Sequence, residues 1–133
     1  MYTLGVTTTF VLIRKYTMQQ VYQPYWFNST PESNFSILVA EDETPLRHLL
    51  STSLSKLGYT VYTAENGIEA LKVFSNQQID LVILDIVMPK MDGFEACSLI
   101  RQQSDCPIIM LTALSRTDDI VAGFELGADD YIT

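Results

Sequence analysis

From Ser36 onward, short unbroken apolar runs alternate with amphipathic stretches. Strands and helices that take turns in this way restrict the chain to the α/β class, with helices crossing over between parallel strands. Ile37-Leu-Val-Ala40, Leu81-Val-Ile-Leu84 and Ile108-Ile-Met-Leu111 contain no polar residue. Central strands covered by helices on both faces read this way. Tyr59-Thr-Val-Tyr-Thr63 alternates instead, which places it nearer an edge. In the first helical stretch Leu46, Leu49, Leu50, Leu54 and Leu57 form an apolar stripe, with Thr44 as N-cap candidate and Pro45 in the first turn. Gly58 suits the left-handed position after its last turn. Further helices are predicted from Ile68 to Phe74, from Gly93 to Arg101 with Phe94, Cys97 and Ile100 on one side, and from Asp118 to Leu126, ahead of Gly127. Asp130-Tyr-Ile-Thr133 begins like a fifth strand.

The alternation starts abruptly, which sets a boundary between an N-terminal extension and linker, residues 1–35, and a domain over residues 36–133. A chain of 133 residues suits one domain. The charge is uneven as well: of the net −8, residues 1–35 contribute +1 through Arg14, Lys15 and Glu32, leaving −9 on the rest. Turn formers over Asn28-Ser-Thr-Pro-Glu-Ser-Asn34 read as the linker. Tyr2, Leu4, Val6, Phe10 and Leu12 have strand spacing, and Met18, Val21, Tyr22 and Tyr25 have a helical spacing that Pro24 would break. The apolar stretch Leu4–Ile13 has its basic pair after it, the reverse of an export signal.

Composition narrows the partners. No apolar stretch reaches the ~18–20 residues of a membrane helix, and the acidic balance repels phosphate backbones and anionic lipid. No membrane insertion and no direct nucleic-acid binding are therefore expected. Two cysteines, Cys97 and Cys106, read as plain thiols in a reducing cytosol, and a lone His48 reads as a surface or helix-packing residue. Met88, Pro89 and Met91 read as a turn, Asp118-Asp119 as a helix first turn, and Asp129-Asp130 as loop by default.

In an open parallel sheet, ligands collect at the carboxyl ends of the strands. Glu41 and Asp42 follow the first strand, Asp85 the third and Thr112 the fourth. Three carboxylates and a hydroxyl should converge there. Carboxylates held close either bind protons more tightly or are neutralised by a hard divalent cation, and oxygen donors without His or Cys suit Mg2+. A carboxylate beside Mg2+ is a competent nucleophile toward phosphorus.

Ile37-Leu-Val-Ala-Glu-Asp-Glu43, Leu81-Val-Ile-Leu-Asp-Ile-Val-Met-Pro89 with Met91-Asp-Gly93, Ile109-Met-Leu-Thr-Ala113 and Gly127-Ala-Asp-Asp-Tyr131 together resemble the signature blocks of bacterial response-regulator receiver domains. The four blocks occur in order over essentially all of residues 36–133, and their wording is most similar to receivers of winged-helix transcription regulators. The resemblance implies a flavodoxin-like, doubly wound parallel sheet of order 2-1-3-4-5. It implies Asp85 as phosphoacceptor, Glu41, Asp42, Asp85 and the Val87 carbonyl as Mg2+ ligands, Thr112 as phosphoryl contact and switch, and Tyr131 as the aromatic that follows it. The implied phosphodonor is a sensor histidine kinase, and the implied place of action is the cytoplasm. Receivers usually continue past the position of Thr133 with Lys-Pro and a fifth helix, so on this reading the last strand is cut short and the helix missing. Part of residues 1–27 or a second copy in a homodimer would then cover the vacated face, or the chain would be a marginally stable fragment.

Three function classes follow. A phosphoacceptor module of a two-component phosphorelay leads. A phosphorylation-independent interaction module is favoured by the lost lysine. A Mg2+-dependent aspartyl phosphohydrolase ranks last, because Val87 stands two residues after Asp85, where such enzymes keep a second carboxylate. A receiver is not a conventional enzyme, although self-phosphotransfer and self-dephosphorylation are within its chemistry.

Overall fold

The computed structural model describes residues 35–111 and 127–132. Sequence expectations for residues 1–34, for Thr112, for the helix from Asp118 to Leu126, for Thr133 and for the side chain of Tyr131 lie outside the described residues.

Five strands, β1 (Ser36–Ala40), β2 (Thr60–Ala64), β3 (Leu81–Asp85), β4 (Ile108–Leu111) and β5 (Asp130–Ile132), form one parallel sheet in the order β2-β1-β3-β4-β5. This is the doubly wound flavodoxin-like order, with its topological switch between β1 and β3. Three helices are described: α1 (Thr44–Lys56), α2 (Gly67–Asn76) and α3 (Gly93–Arg101). Because side chains alternate across a strand, the apolar runs of the central strands supply two cores. Leu38, Ala40, Val82, Leu84, Ile108 and Met110 face one core with Ala70, Ala96, Cys97 and Ile100 from α2 and α3. Ile37, Val39, Leu81, Ile83, Ile109 and Leu111 face the other, with Leu50 and Leu54 of α1.

The first helix departs from expectation in two ways. Its N-cap is Glu43, not Thr44, and no side chain caps it. The Thr44 hydroxyl instead accepts a hydrogen bond from Arg47 at 3.2 Å. The expected stripe also narrows to Leu46, Leu50 and Leu54, a single i, i+4 row, while Leu49 (42% exposed) and Leu57 (62%) lie outside it. One row suffices where a helix lies on a sheet along a single ridge. Gly58 closes the helix with φ +98, as predicted. The predicted strand Tyr59–Thr63 begins and ends one residue later, and β2 is an edge strand as expected. His48 is exposed, and Cys97 and Cys106 are free thiols.

At the amino end of β4, Arg101 joins three segments. Its guanidinium donates to the carbonyls of Gly127 (2.7 and 2.9 Å), Ser104 (3.2 Å) and Cys106 (2.6 Å), and to the Asp129 carboxylate (2.7 Å). The same Asp129 oxygen accepts the N–H of Ile108 at 2.8 Å. Asp129 is therefore a clamp residue rather than a simple loop position. Arg101→Ala leaves several carbonyls without their donor. Discounted for the exposure of Asp129, the expected loss is roughly 2 kcal/mol and a fall in Tm of about 5–10 °C, measurable by thermal unfolding.

Candidate functional site

Strand register builds the site. Ala40 pairs with Leu84, so Glu41 and Asp85 come to the same level at the carboxyl end of the sheet. Both continue the odd-numbered side-chain row of their strands, which puts them on the same face. Asp42 follows on the loop into α1. The carboxylates of Glu41, Asp42 and Asp85 lie within 4.8 Å of one another, forming the acidic pit that the sequence predicted.

Glu41 is only 2% exposed. Its N–H donates to the Ala64 carbonyl at 3.0 Å, and one carboxylate oxygen accepts the Glu43 N–H at 3.0 Å. Burial, reinforced by Asp85 and Asp42 and opposed by the Glu43 hydrogen bond, pushes its carboxyl up to about 8. Asp85 is raised to about 6, again chiefly by burial, against hydrogen bonds from Glu41 and from the backbone of Val87 and Ile86. One proton is thus held between Glu41 and Asp85 near neutral pH. A hard cation satisfies the same excess of negative charge, and an all-carboxylate donor set fits Mg2+.

The loop after β3 is fixed from two sides. Ile86 donates to Leu111 at 3.1 Å and accepts from Gly93 at 2.9 Å, while Met91 accepts from Gly67 at 3.0 Å. Met91 also donates to Pro89 at 2.7 Å across Lys90, whose φ of 67 is the positive-φ centre of a tight turn. Met88, Pro89 and Met91 therefore form the expected turn. The Val87 side chain is 62% exposed beside the pit. Asn66 and Asp92 cap α2 and α3 by accepting the N–H of Glu69 and of Glu95, each at 2.9 Å.

Gly93 packs directly against the strand that carries Asp85. A Cβ there would lie 2.9 Å from the Asp85 carbonyl carbon and 2.9 Å from the Ile86 Cα. Backbone atoms cannot yield as a side-chain tip does, so Gly93→Ala is expected to cost about 2–4 kcal/mol in denaturant unfolding and to displace Asp85.

Sequence reasoning missed Arg47. Its guanidinium donates to the carbonyls of Glu41 (2.9 Å) and Asp42 (3.3 Å), and pairs with Glu65 at 3.2 Å. A signal was present: a cation near the amino end of a helix opposes the macrodipole, so its partner must lie elsewhere.

A parallel sheet in 2-1-3-4-5 order, with carboxylates gathered at the carboxyl ends of β1 and β3, defines a flavodoxin-like domain with an acidic pit at its switch point. The chain belongs to the response regulator receiver domain family, whose signature spans residues 37–133. It is 52% identical over 105 residues to "Probable transcriptional regulator ycf27" of Cyanidium caldarium, covering 79% of this chain and 42% of that protein. It is 48% identical over 101 residues to "Alkaline phosphatase synthesis transcriptional regulatory protein PhoP" of Bacillus subtilis (strain 168), covering 75% and 42%. The chain thus spans about two fifths of the length of these curated relatives. Among solved structures it is similar to the response regulator TrrA of Thermotoga maritima in complex with Mg(2+)-BeF, with 44% identity and TM-score 0.67 over 74% of this chain and 85% of that one. The Vibrio cholerae chemotaxis protein CheY4 gives 33% identity and TM-score 0.72 over 74% and 85%. Among the described residues, no helix is long and apolar enough to cross a membrane.

Proposed function

We propose that residues 36–133 are a phosphoacceptor receiver module, preceded by residues 1–35 as an extension, and that Asp85 takes a phosphoryl group from a phosphohistidine on a sensor histidine kinase. The observation that carries this reading is the approach of the Glu41, Asp42 and Asp85 carboxylates to within 4.8 Å at the carboxyl end of a parallel sheet. Glu41, Asp42, Asp85 and the Val87 carbonyl would hold Mg2+, in keeping with the Mg(2+)-BeF complex of the TrrA relative. Bound there, Mg2+ offsets the repulsion between an anionic attacker and an anionic phosphoryl group.

A carboxylate oxygen of Asp85 attacks phosphorus in line with the leaving imidazole. The O–P bond forms as the P–N bond breaks, giving an acyl phosphate and a neutral histidine once the ring nitrogen is protonated. Glu41, whose carboxyl burial raises to about 8, would give up its proton as the pit takes up a cation, and the Val87 backbone N–H helps hold the Asp85 carboxylate. Thr112 donates its hydroxyl to a phosphoryl oxygen and moves with it, and Tyr131 changes rotamer in response. The altered surface then acts through protein contacts on a transcriptional output, as the names of the relatives suggest.

The test is intact-mass measurement of the full chain after incubation with Mg2+ and a small phosphodonor such as acetyl phosphate. One acid-labile phosphoryl group is expected. An unmodified chain would favour a phosphorylation-independent interaction module, and sustained turnover of excess phosphate ester would favour a phosphohydrolase.

A further inference from the structure

The loop that carries Glu41 and Asp42 has no regular structure of its own between β1 and α1. Three residues, 41 to 43, link a strand to a helix, and two of them must present carboxylates to the same point. Such a loop is held by what its backbone carbonyls meet. The Glu41 N–H is taken by Ala64, and the Glu43 N–H by the Glu41 carboxylate. On the acceptor side, the carbonyls of Glu41 and Asp42 both point at one group, the first guanidinium nitrogen of Arg47, at 2.9 and 3.3 Å. The second guanidinium nitrogen is fixed by the Thr44 hydroxyl and by the Glu65 carboxylate, each at 3.2 Å. Glu65 stands on the turn after β2, so the planar fork spans two loops at the same end of the sheet.

We propose that Arg47 is a positioning residue for the acidic pit, setting the directions in which Glu41 and Asp42 present their carboxylates to a divalent cation shared with Asp85. The inference rests on the reading of the pit as a Mg2+ site and names a residue outside the ligand set. Arg47 is suited to the task by three features. Its side chain is only 13% exposed, so solvent does not compete strongly for its donors. A planar fork fixes two acceptors in angle as well as in distance, which a point charge does not. Its own backbone is committed to the helix, with the Arg47 N–H donating to the Glu43 carbonyl at 2.9 Å. A rigid element therefore braces the loop. Groups that orient metal ligands from behind commonly change affinity by ~10–100-fold when removed.

The test is calorimetric titration of the full chain with Mg2+, alongside the metal-free melting temperature of each variant. Arg47→Ala is expected to weaken Mg2+ binding by about 10-fold or more. Arg47→Lys keeps the charge and loses the fork, and is expected to recover only part of the affinity. Arg101→Ala is the control for general destabilisation. It breaks a clamp at the opposite end of the sheet, so it should lower the melting temperature and leave the Mg2+ dissociation constant within about 2-fold of the parent. Unchanged affinity in Arg47→Ala, full recovery by Arg47→Lys, or parallel weakening in Arg101→Ala would overturn the positioning role while leaving the Mg2+ site intact. A parent chain that retains no Mg2+ would instead overturn the reading of the pit itself.

Discussion

Asp85→Asn is expected to abolish phosphoryl incorporation from a small phosphodonor, with no adduct in the intact-mass spectrum under conditions that label the parent chain. The amide is nearly isosteric with the carboxylate but carries no anionic oxygen to form the acyl phosphate, so the loss is one of chemistry rather than of shape. A residual rate more than ~100-fold below the parent is the most that a neighbouring carboxylate could supply without the in-line placement of Asp85. Folding is not at risk. Asn removes a carboxyl that burial has raised to about 6, so the metal-free variant should melt at or above the parent temperature at pH 8. Incorporation that persists in Asp85→Asn would place the acceptor elsewhere, on Asp42 or Glu41, and remove the central role given to β3.

The features that made this site legible are those that depend on strand periodicity. Ile37–Ala40 and Leu81–Leu84 read as buried strands because both faces are covered, and each is followed at once by a carboxylate. Once both strands are parallel neighbours in matched register, Glu41 and Asp85 have to meet. Arg47 and Arg101 were not legible in the same way. Their partners are backbone carbonyls, which every residue possesses, and Arg101 reaches across 26 residues to Gly127. Hydropathy carries no trace of such bonds, since a long side chain can bury its stem and aim its head in several directions. The stripe on α1 is narrower than its spacing suggests for a related reason. Leu49 and Leu57 satisfy helical spacing, but only Leu46, Leu50 and Leu54 lie on the row that meets the sheet. Thr44 misled as a cap because its hydroxyl is taken by Arg47, an interaction that cap statistics do not anticipate.

The second large effect is a reversal of pH dependence by Mg2+. Glu41 is raised from 4.5 to about 8 and Asp85 from 3.8 to about 6 in the folded chain. Between those limits the folded state binds more protons than the unfolded one, so stability conferred by these groups is present at low pH and lost as pH rises through about 8. The metal-free chain is expected to lose up to about 5 kcal/mol from this source between about pH 5 and pH 8.5. Mg2+ held in the pit would take the place of the proton, so its stabilisation is expected to run the other way. At ~100 times its dissociation constant the ion adds about 2.7 kcal/mol, and that gain belongs to the alkaline side, where Glu41 is ionised. Near pH 6 the ion competes with the Glu41 proton, and its apparent affinity should fall by about 10–100-fold, with roughly one proton released per ion bound. Thermal unfolding at about pH 6 and pH 8.5, with and without Mg2+, reads both slopes, and calorimetry in buffers of different ionisation enthalpy counts the proton. Glu41→Gln should flatten the metal-free slope while weakening the ion at every pH. Equal stabilisation by Mg2+ at both pH values, or a metal-free chain that grows more stable toward pH 8.5, would mean that no proton is shared in the pit and that the carboxylates are not poised to exchange it for a cation.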